Sequence, residues 1–322
     1  MSVIIRTENL RKVYPIGGPG SKEKVVALSN INLSVEKGQI CCILGTSGSG
    51  KSTLLNQLAG LEKPTRGSVY IGKTNISALS ESKLASFRQE NIGFVFQSYN
   101  LLAAYTALEN VAMPLMFRGI SHTKRDRLAK EILKAVGLGK RMDHKPSQMS
   151  GGQQQRVGIA RAFVARPKIV FADEPTGNLD TRTTREVMEL MVNLCRKYDQ
   201  TMVLVTHDRD LARYADRIIT LIDGKIVDDQ PNQSIARTEE AIQAEKAAAR
   251  QQRREDAAED KARRQYETTG MEEDSIPEDA VAVLQQSGAL PGPAPAAEPP
   301  EEPAPDGTKE ETTQERKGEQ AE

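Results

Sequence analysis

Residues 45–53 read GTSGSGKST, a Gly-rich turn of the form G-x-x-x-x-G-K-[ST]. Residues 40–44, ICCIL, are a short apolar run that delivers the chain to this turn as a buried strand. Residues 52–59 read as a helix leaving its far end. In such a turn Gly45, Gly48 and Gly50 let backbone N–H groups point inward at phosphate oxygens. Thr46, Ser47 and Ser49 stand between them, and Lys51 reaches the β- and γ-phosphates of a nucleotide. Ser52 and Thr53 open the helix, whose N-terminus faces the anion, and the Ser52 hydroxyl is placed to ligate Mg²⁺. Every residue from 45 to 53 is therefore a candidate nucleotide contact.

Outward from this turn, similar apolar runs occupy 92–96, 169–172 and 202–206. Such runs suit strands buried on both faces of a sheet. Helices are expected at 52–59, 124–136, 152–165 and 184–198, punctuated by Pro146 and Pro167. Residues 3–6, 25–28 and 31–35 read as antiparallel strands. The pattern predicts an α/β domain over 1–230, with an antiparallel β subdomain and a helical insert near 100–165. Residues 231–270 form a charged extension, rich in Ala, Glu, Gln, Lys and Arg, without a sustained apolar face. A solvated helix is the expectation there. Residues 271–322 are acidic, and the string PGPAPAAEPPEEPAP holds seven of the sixteen prolines. That tail buries too little apolar surface to offset an ordering entropy of roughly 1–2 kcal/mol per residue, so it is expected to be disordered.

The formal net charge of zero hides a split. Residues 1–230 hold 33 Lys and Arg against 22 Asp and Glu, a balance of +11, whereas 271–322 hold 3 against 14, a balance of −11. The basic excess is not gathered into one Lys/Arg run, so phosphate binding and an adjacent anionic membrane surface account for it as well as nucleic acid does. No stretch reaches the roughly 18 apolar residues of a membrane helix. The N-terminus lacks the regions of a signal peptide, so a cytoplasmic chain is expected. Cys41, Cys42 and Cys195 lie on apolar patterns and read as buried, unpaired thiols of a reducing compartment.

Two further strings carry chemistry. In KIVFADEPTGNLD (168–180) a strand ends in Asp173, placed to hold Mg²⁺ directly or through water. Glu174 follows at once, where a carboxylate orients and polarises an attacking water; phosphoryl transfer asks a protein for little beyond such positioning. In MSGGQQQRVGIARA (149–162) a Gly turn runs into a helix with Val157, Ile159, Ala160 and Phe163 inward. Its N-terminus offers the Ser150 hydroxyl and the Gly151 and Gly152 amides as a second anion site. One chain has no need of two phosphate cradles for one nucleotide, so the second is expected to serve the γ-phosphate held by another copy.

With these strings the chain resembles the ATP-binding cassette (ABC) ATPases from about Arg6 to Asp228. The resemblance implies an α/β P-loop ABC cassette: a RecA-like core, an antiparallel β subdomain and a helical subdomain. Its cofactors would be ATP and Mg²⁺. Gln97 in GFVFQ matches the Q-loop glutamine, implied to touch Mg²⁺ and water while sensing a transmembrane partner. Ser150, Gly151, Gly152 and Gln153 match the signature sequence. Asp180, in Asn178-Leu179-Asp180, matches the D-loop and would work across a dimer. His207 in VTHD matches the switch histidine that contacts the γ-phosphate. Tyr14 in KVYPIGGPG matches the adenine-stacking aromatic; such stacking contributes roughly 1–3 kcal/mol. Catalytic roles would thus fall to Glu174, His207 and Gln97, and metal contacts to Ser52, Gln97 and Asp173.

Longer strings, among them FVFQSYNLLAAYTALENVAMPLMFRGIS and PSQMSGGQQQRVGIARA, look like the lipoprotein-releasing and macrolide-exporter branch, with Met149 where those relatives usually carry Leu. Cell-division cassettes are similar. The resemblance implies a motor subunit on the cytoplasmic face of the membrane, paired with a second copy. An integral membrane permease would dock near 97–117, an unusually apolar stretch, and no nucleic acid is expected. An uptake ATPase would carry the same catalytic set. A soluble ABC protein acting on ribosomes or DNA usually has two cassettes or coiled-coil inserts, which this chain lacks.

Overall fold

The computed structural model describes residues 2–16 and 23–232, and the acidic tail and nearly all of the charged extension lie outside them. Among the described residues ten strands make two sheets. β1 (Val3–Pro15), β2 (Lys24–Glu36), β4 (Arg66–Ile71) and β5 (Thr74–Asn75) form an antiparallel sheet in the order β2-β1-β4-β5. β3 (Ile40–Leu44), β6 (Ile92–Phe96), β7 (Ile169–Asp173), β8 (Thr201–Thr206), β9 (Arg217–Ile222) and β10 (Lys225–Pro231) form the other, in the order β10-β9-β3-β8-β7-β6. Its strands run parallel from β6 through β9, and β10 returns antiparallel as an edge. Seven helices accompany them: α1 (Lys51–Leu58), α2 (Glu81–Asn91), α3 (Ala107–Phe117), α4 (His122–Ala135), α5 (Gly151–Phe163), α6 (Thr181–Lys197) and α7 (Arg209–Ala212).

β3, β7 and β8 are buried on both faces, as their continuous apolar runs predict, whereas β6, at the edge of the sheet, buries only alternate residues. Ile40, Cys42, Val170, Ala172, Met202 and Leu204 join the core beneath α3 to α6. The alternate residues Cys41, Ile43, Ile169, Phe171, Val203 and Val205 join the core shared with α1 and the antiparallel sheet. The period of two along each strand divides one run between two cores. The three thiols are free and buried, and burial pushes Cys41 and Cys195 up to about 12, which keeps them protonated and unreactive.

The N-terminal pattern differs from expectation in one respect. Residues 25–28 and 31–35 belong to a single strand, β2, bent at Asn30 (φ 57°) opposite Asn9 (φ 47°). Asn tolerates the left-handed region, and Asn32 Oδ1 accepts from Asn9 N at 2.8 Å to close the irregularity. The strand therefore curves without breaking. α6 begins three residues before its expected start because Asp180 accepts from the N–H groups of Arg182 and Thr183.

The apolar stretch after β6 contains α3, started by a reciprocal capping box between Thr106 and Glu109. Ala107, Val111, Ala112 and Leu115 enter the core, while Met116 and Phe117 face outward. Arg118, just beyond α3, anchors this helical insert. Its guanidinium donates to the carbonyls of Gln89 and Glu90 at the end of α2, each at 2.7 Å, and to Ala165 after α5 at 2.8 Å. At the last of the described residues, Asn232 donates to Ala212 O and Ala215 O at 2.9 and 2.8 Å.

Candidate nucleotide site

The Gly-rich turn sits where β3 meets α1, at the carboxyl end of the parallel strands. Gly50 precedes α1 with φ 100°, and a Cβ there would come within 2.6 Å of Ala27 O. Only glycine suits that backbone. Lys51 is 6% exposed, and its Nζ donates to Thr46 O at 2.8 Å, so the ammonium closes over its own turn. Ser49 is buried with its hydroxyl unpartnered, whereas Thr46, Ser47 and Gly48 are exposed on the open side.

β7 brings Asp173 beside this turn. Ser52 Oγ donates to Asp173 Oδ1 at 3.2 Å. Burial raises the Asp173 carboxyl above its ordinary range and the neighbouring Glu174 adds to the rise, while the Ser52 hydrogen bond and Lys51 oppose it. Glu174 has φ 41°, a left-handed conformation unusual for a side-chain-bearing residue. Its N–H donates to Val205 O at 2.9 Å, and its own carbonyl accepts from Gly177 N at 3.1 Å. These bonds hold the turn that aims the carboxylate at His207, whose Nδ1 lies 3.0 Å from Glu174 Oε1. A pocket of about 320 Å³ opens beside this pair, lined also by Thr176, Leu179 and Thr206.

The remaining expected residues fall into three places. Gln97 follows β6, and its side-chain amide packs on Gly177 of the loop that carries Glu174. Asn178 Nδ2 ties the same loop to Gln97 O at 3.2 Å. Tyr14 stands near the end of β1; its hydroxyl donates to Glu62 Oε2 at 2.6 Å and also meets Thr53 of the turn. Burial, then Glu62, raises the phenol's pKa. The third place is the N-terminus of α5. Ser150 accepts there from Gln153 N at 3.3 Å, and Gln153 Oε1 accepts from Ser150 N at 3.1 Å. Gly151 and Gly152 pack against Tyr99, Leu179 and Thr183. Asp180 sits next to this cradle as the cap of α6, its carboxyl held below the ordinary range by the Thr183 hydroxyl and backbone.

Sequence reasoning missed Gln155. It is fully buried, and its Nε2 donates to Pro175 O at 2.5 Å and to Phe96 O at 3.4 Å. One side chain of α5 thereby joins the end of β6, just before Gln97, to the loop after Glu174. A signal was available: Gln155 occupies the same helical face as Ile159 and Phe163, where a polar residue needs a buried partner. Glu62, the partner of Tyr14, carried no such signal.

Residues 28–177 match the ABC transporter family. The chain is 46% identical over 229 residues to the lipoprotein-releasing system ATP-binding protein LolD of Geobacter metallireducens, covering 71% of this chain and all of that protein. It is 41% identical over 246 residues to the macrolide export ATP-binding/permease protein MacB of Vibrio parahaemolyticus, 76% of this chain but 37% of that longer protein. Among solved structures it is similar to the cassette MJ0796 of Methanocaldococcus jannaschii in a dimeric post-hydrolysis state bound to ADP and phosphate. The identity there is 43% and the TM-score 0.66, covering 71% of this chain and 98% of that one. Fold, motifs and relatives agree, and the chain belongs to the ABC transporter family of ATP-binding cassettes.

Proposed function

We propose that this chain is the ATP-hydrolysing motor subunit of an ABC transporter that exports or exerts mechanical work, acting as a pair with a separate membrane permease. The observation that carries the reading is the Glu174–His207 pair, held 3.0 Å apart beside Asp173 and the Gly-rich turn. The similarity to LolD, and to the ATP-binding part of MacB, favours export over uptake. The dimeric MJ0796 structures support pairing of two cassettes.

The triphosphate would lie on the N-terminus of α1, where backbone N–H groups and Lys51 neutralise its charge. The hard oxygen donors at hand, the Ser52 hydroxyl and the Asp173 carboxylate, fit Mg²⁺ and would hold it. It would supply charge neutralisation at the phosphates. Glu174 orients a water toward the γ-phosphorus and takes its proton as the new P–O bond forms and the bond to the ADP oxygen breaks. His207, against Glu174, keeps that carboxylate aimed and meets the γ-phosphate. Tyr14 stacks on the adenine. Ser150, Gly151, Gly152 and Asp180 serve the nucleotide of the second copy, closing two ATP molecules between two chains.

The proposed contact with the permease is the outer side of α3. A groove of about 250 Å³ there is lined by Phe94, Phe96, Met113, Pro114, Phe117 and Ala162. Leu102 (45% exposed) and Phe117 (60%) are exposed apolar side chains of the same stretch. No helix among the described residues is long and apolar enough to cross a membrane.

Glu174→Gln tests the reading. The variant keeps the shape of the site and ATP binding, but hydrolysis falls by about 10²–10⁴-fold and ATP-closed dimers accumulate. Near-normal turnover would remove Glu174 from the mechanism and with it the proposed chemistry.

A further inference from the structure

Tyr99 and Asn100 are consecutive non-glycine residues in the left-handed region, with φ of 60° and 49°. Such a pair persists only where its surroundings hold it. Here the holder is α5: Arg161 Nη2 donates to Tyr99 O at 2.8 Å and Nη1 donates to Asn100 O. Gln155, from the same helix, donates to Phe96 O. The segment that follows Gln97 is thus fastened to α5 rather than left to follow the sheet.

The fastening aims the Tyr99 ring back at the N-terminus of that same helix. A Cβ on Gly151 would come within 2.8 Å of Tyr99 Oη and 3.8 Å of its Cζ. Leu179 and Thr183 pack on the two cradle glycines from the side of α6. Gln97, two residues earlier, packs instead on Gly177 in the Glu174 loop. One short strained segment therefore has two ends with different neighbours. Gln97 faces the chemistry of its own chain, and Tyr99 supports the cradle from within.

We propose that Tyr99 is a positioning residue for the Ser150–Gly151–Gly152 cradle and that it acts on the ATP bound by the second copy, not on its own. The inference rests on the reading above that the cradle works across the dimer. Its content is a direction: a defect at Tyr99 travels in trans, whereas one at Gln97 acts in cis.

Mixed dimers test this. Tyr99→Leu keeps an apolar side chain but cannot reach Gly151; the homodimer should hydrolyse ATP about tenfold more slowly, as expected for one lost aromatic contact. Binding of a fluorescent ATP analogue by the isolated chain should be unchanged. Lys51→Ala has a disabled loop and an intact cradle. Doubly tagged heterodimers of the two variants contain one site with a sound loop and a sound cradle, and they should regain the turnover of the control heterodimer of Ser150→Arg with Lys51→Ala. If the control regains nothing, the shared-site reading itself fails. If the control recovers and the Tyr99→Leu heterodimer does not, or if the Tyr99→Leu homodimer matches wild type, the proposal is overturned. A steric suppressor gives a second measurement should Tyr99→Leu fail to fold. Gly151→Ala should slow hydrolysis by pressing on Oη, and adding Tyr99→Phe, which removes only that oxygen, should restore it several-fold. No restoration would equally overturn the proposal.

Discussion

Replacing Gln155 by Leu removes a donor from the centre of the site while keeping side-chain volume. Pro175 O then loses its buried 2.5 Å bond, and Phe96 O loses one at 3.4 Å that lies at the limit of useful geometry. A buried carbonyl left unsatisfied costs about 1–3 kcal/mol. Against that, Gln155 Oε1 is itself buried without a partner, and the substitution removes that burden. The two effects oppose, and the better bond decides the sign: a net loss of about 1–2 kcal/mol. For a domain of this size that shifts Tm by roughly 2–8 °C. Gln155→Ala should lose more, because a cavity is added. Gln155→Glu should lose most, since it sets an unpaired carboxylate against two carbonyls. Calorimetry and urea melts give the order, and hydrolysis should fall with stability in it because both the Gln97 and Glu174 loops loosen. If Gln155→Leu were as stable as wild type, the two bonds would contribute nothing net. Gln155 would then not be what joins these loops.

Three further outcomes are expected. Asp180 has a lowered pKa in the fold, so its ionised form stabilises the α6 cap above the ordinary aspartate range and that contribution is lost as pH falls through the folded value. The Tm difference between wild type and Asp180→Asn should therefore be present at neutral pH and shrink below about pH 3.9; a constant difference would refute the cap's charge dependence. Leu102→Glu should weaken co-purification with a membrane permease from detergent extracts and leave hydrolysis by the isolated chain intact, because an unpaired charge in an apolar contact costs several kcal/mol. A chain ending at Asn232 should keep basal hydrolysis, whereas one ending at Pro231 should be less stable by about 1–3 kcal/mol through loss of the Asn232 bonds, which comparative urea melts would show.

The sequence by itself determined where the chemistry-bearing patterns lie. A Gly-rich turn between an apolar run and a helix, an Asp–Glu pair ending another apolar run, and a capped helix start are local patterns, because backbone direction, capping and charge within a few residues decide them. The four core strands were legible for the same reason. Short-range signals failed where neighbours set the outcome. β4, β9 and β10 carry alternating or mixed faces that only a partner strand selects, and β2 stays one strand because Asn9 and Asn32 accommodate the bend at Asn30. The site was completed by tertiary structure. Tyr14 meets Glu62 across 48 positions, Gln155 meets Phe96 across 59, and His207 meets Glu174 across 33. No periodicity encodes such pairs, since each depends on two elements arriving at the same place. Tyr99 shows the difference most plainly. Its place in an apolar stretch after Gln97 gave no hint that Arg161 would hold its carbonyl or that its hydroxyl would lie against Gly151. Side-chain type was enough to say what each residue can do, and only packing decided to which neighbour it does it.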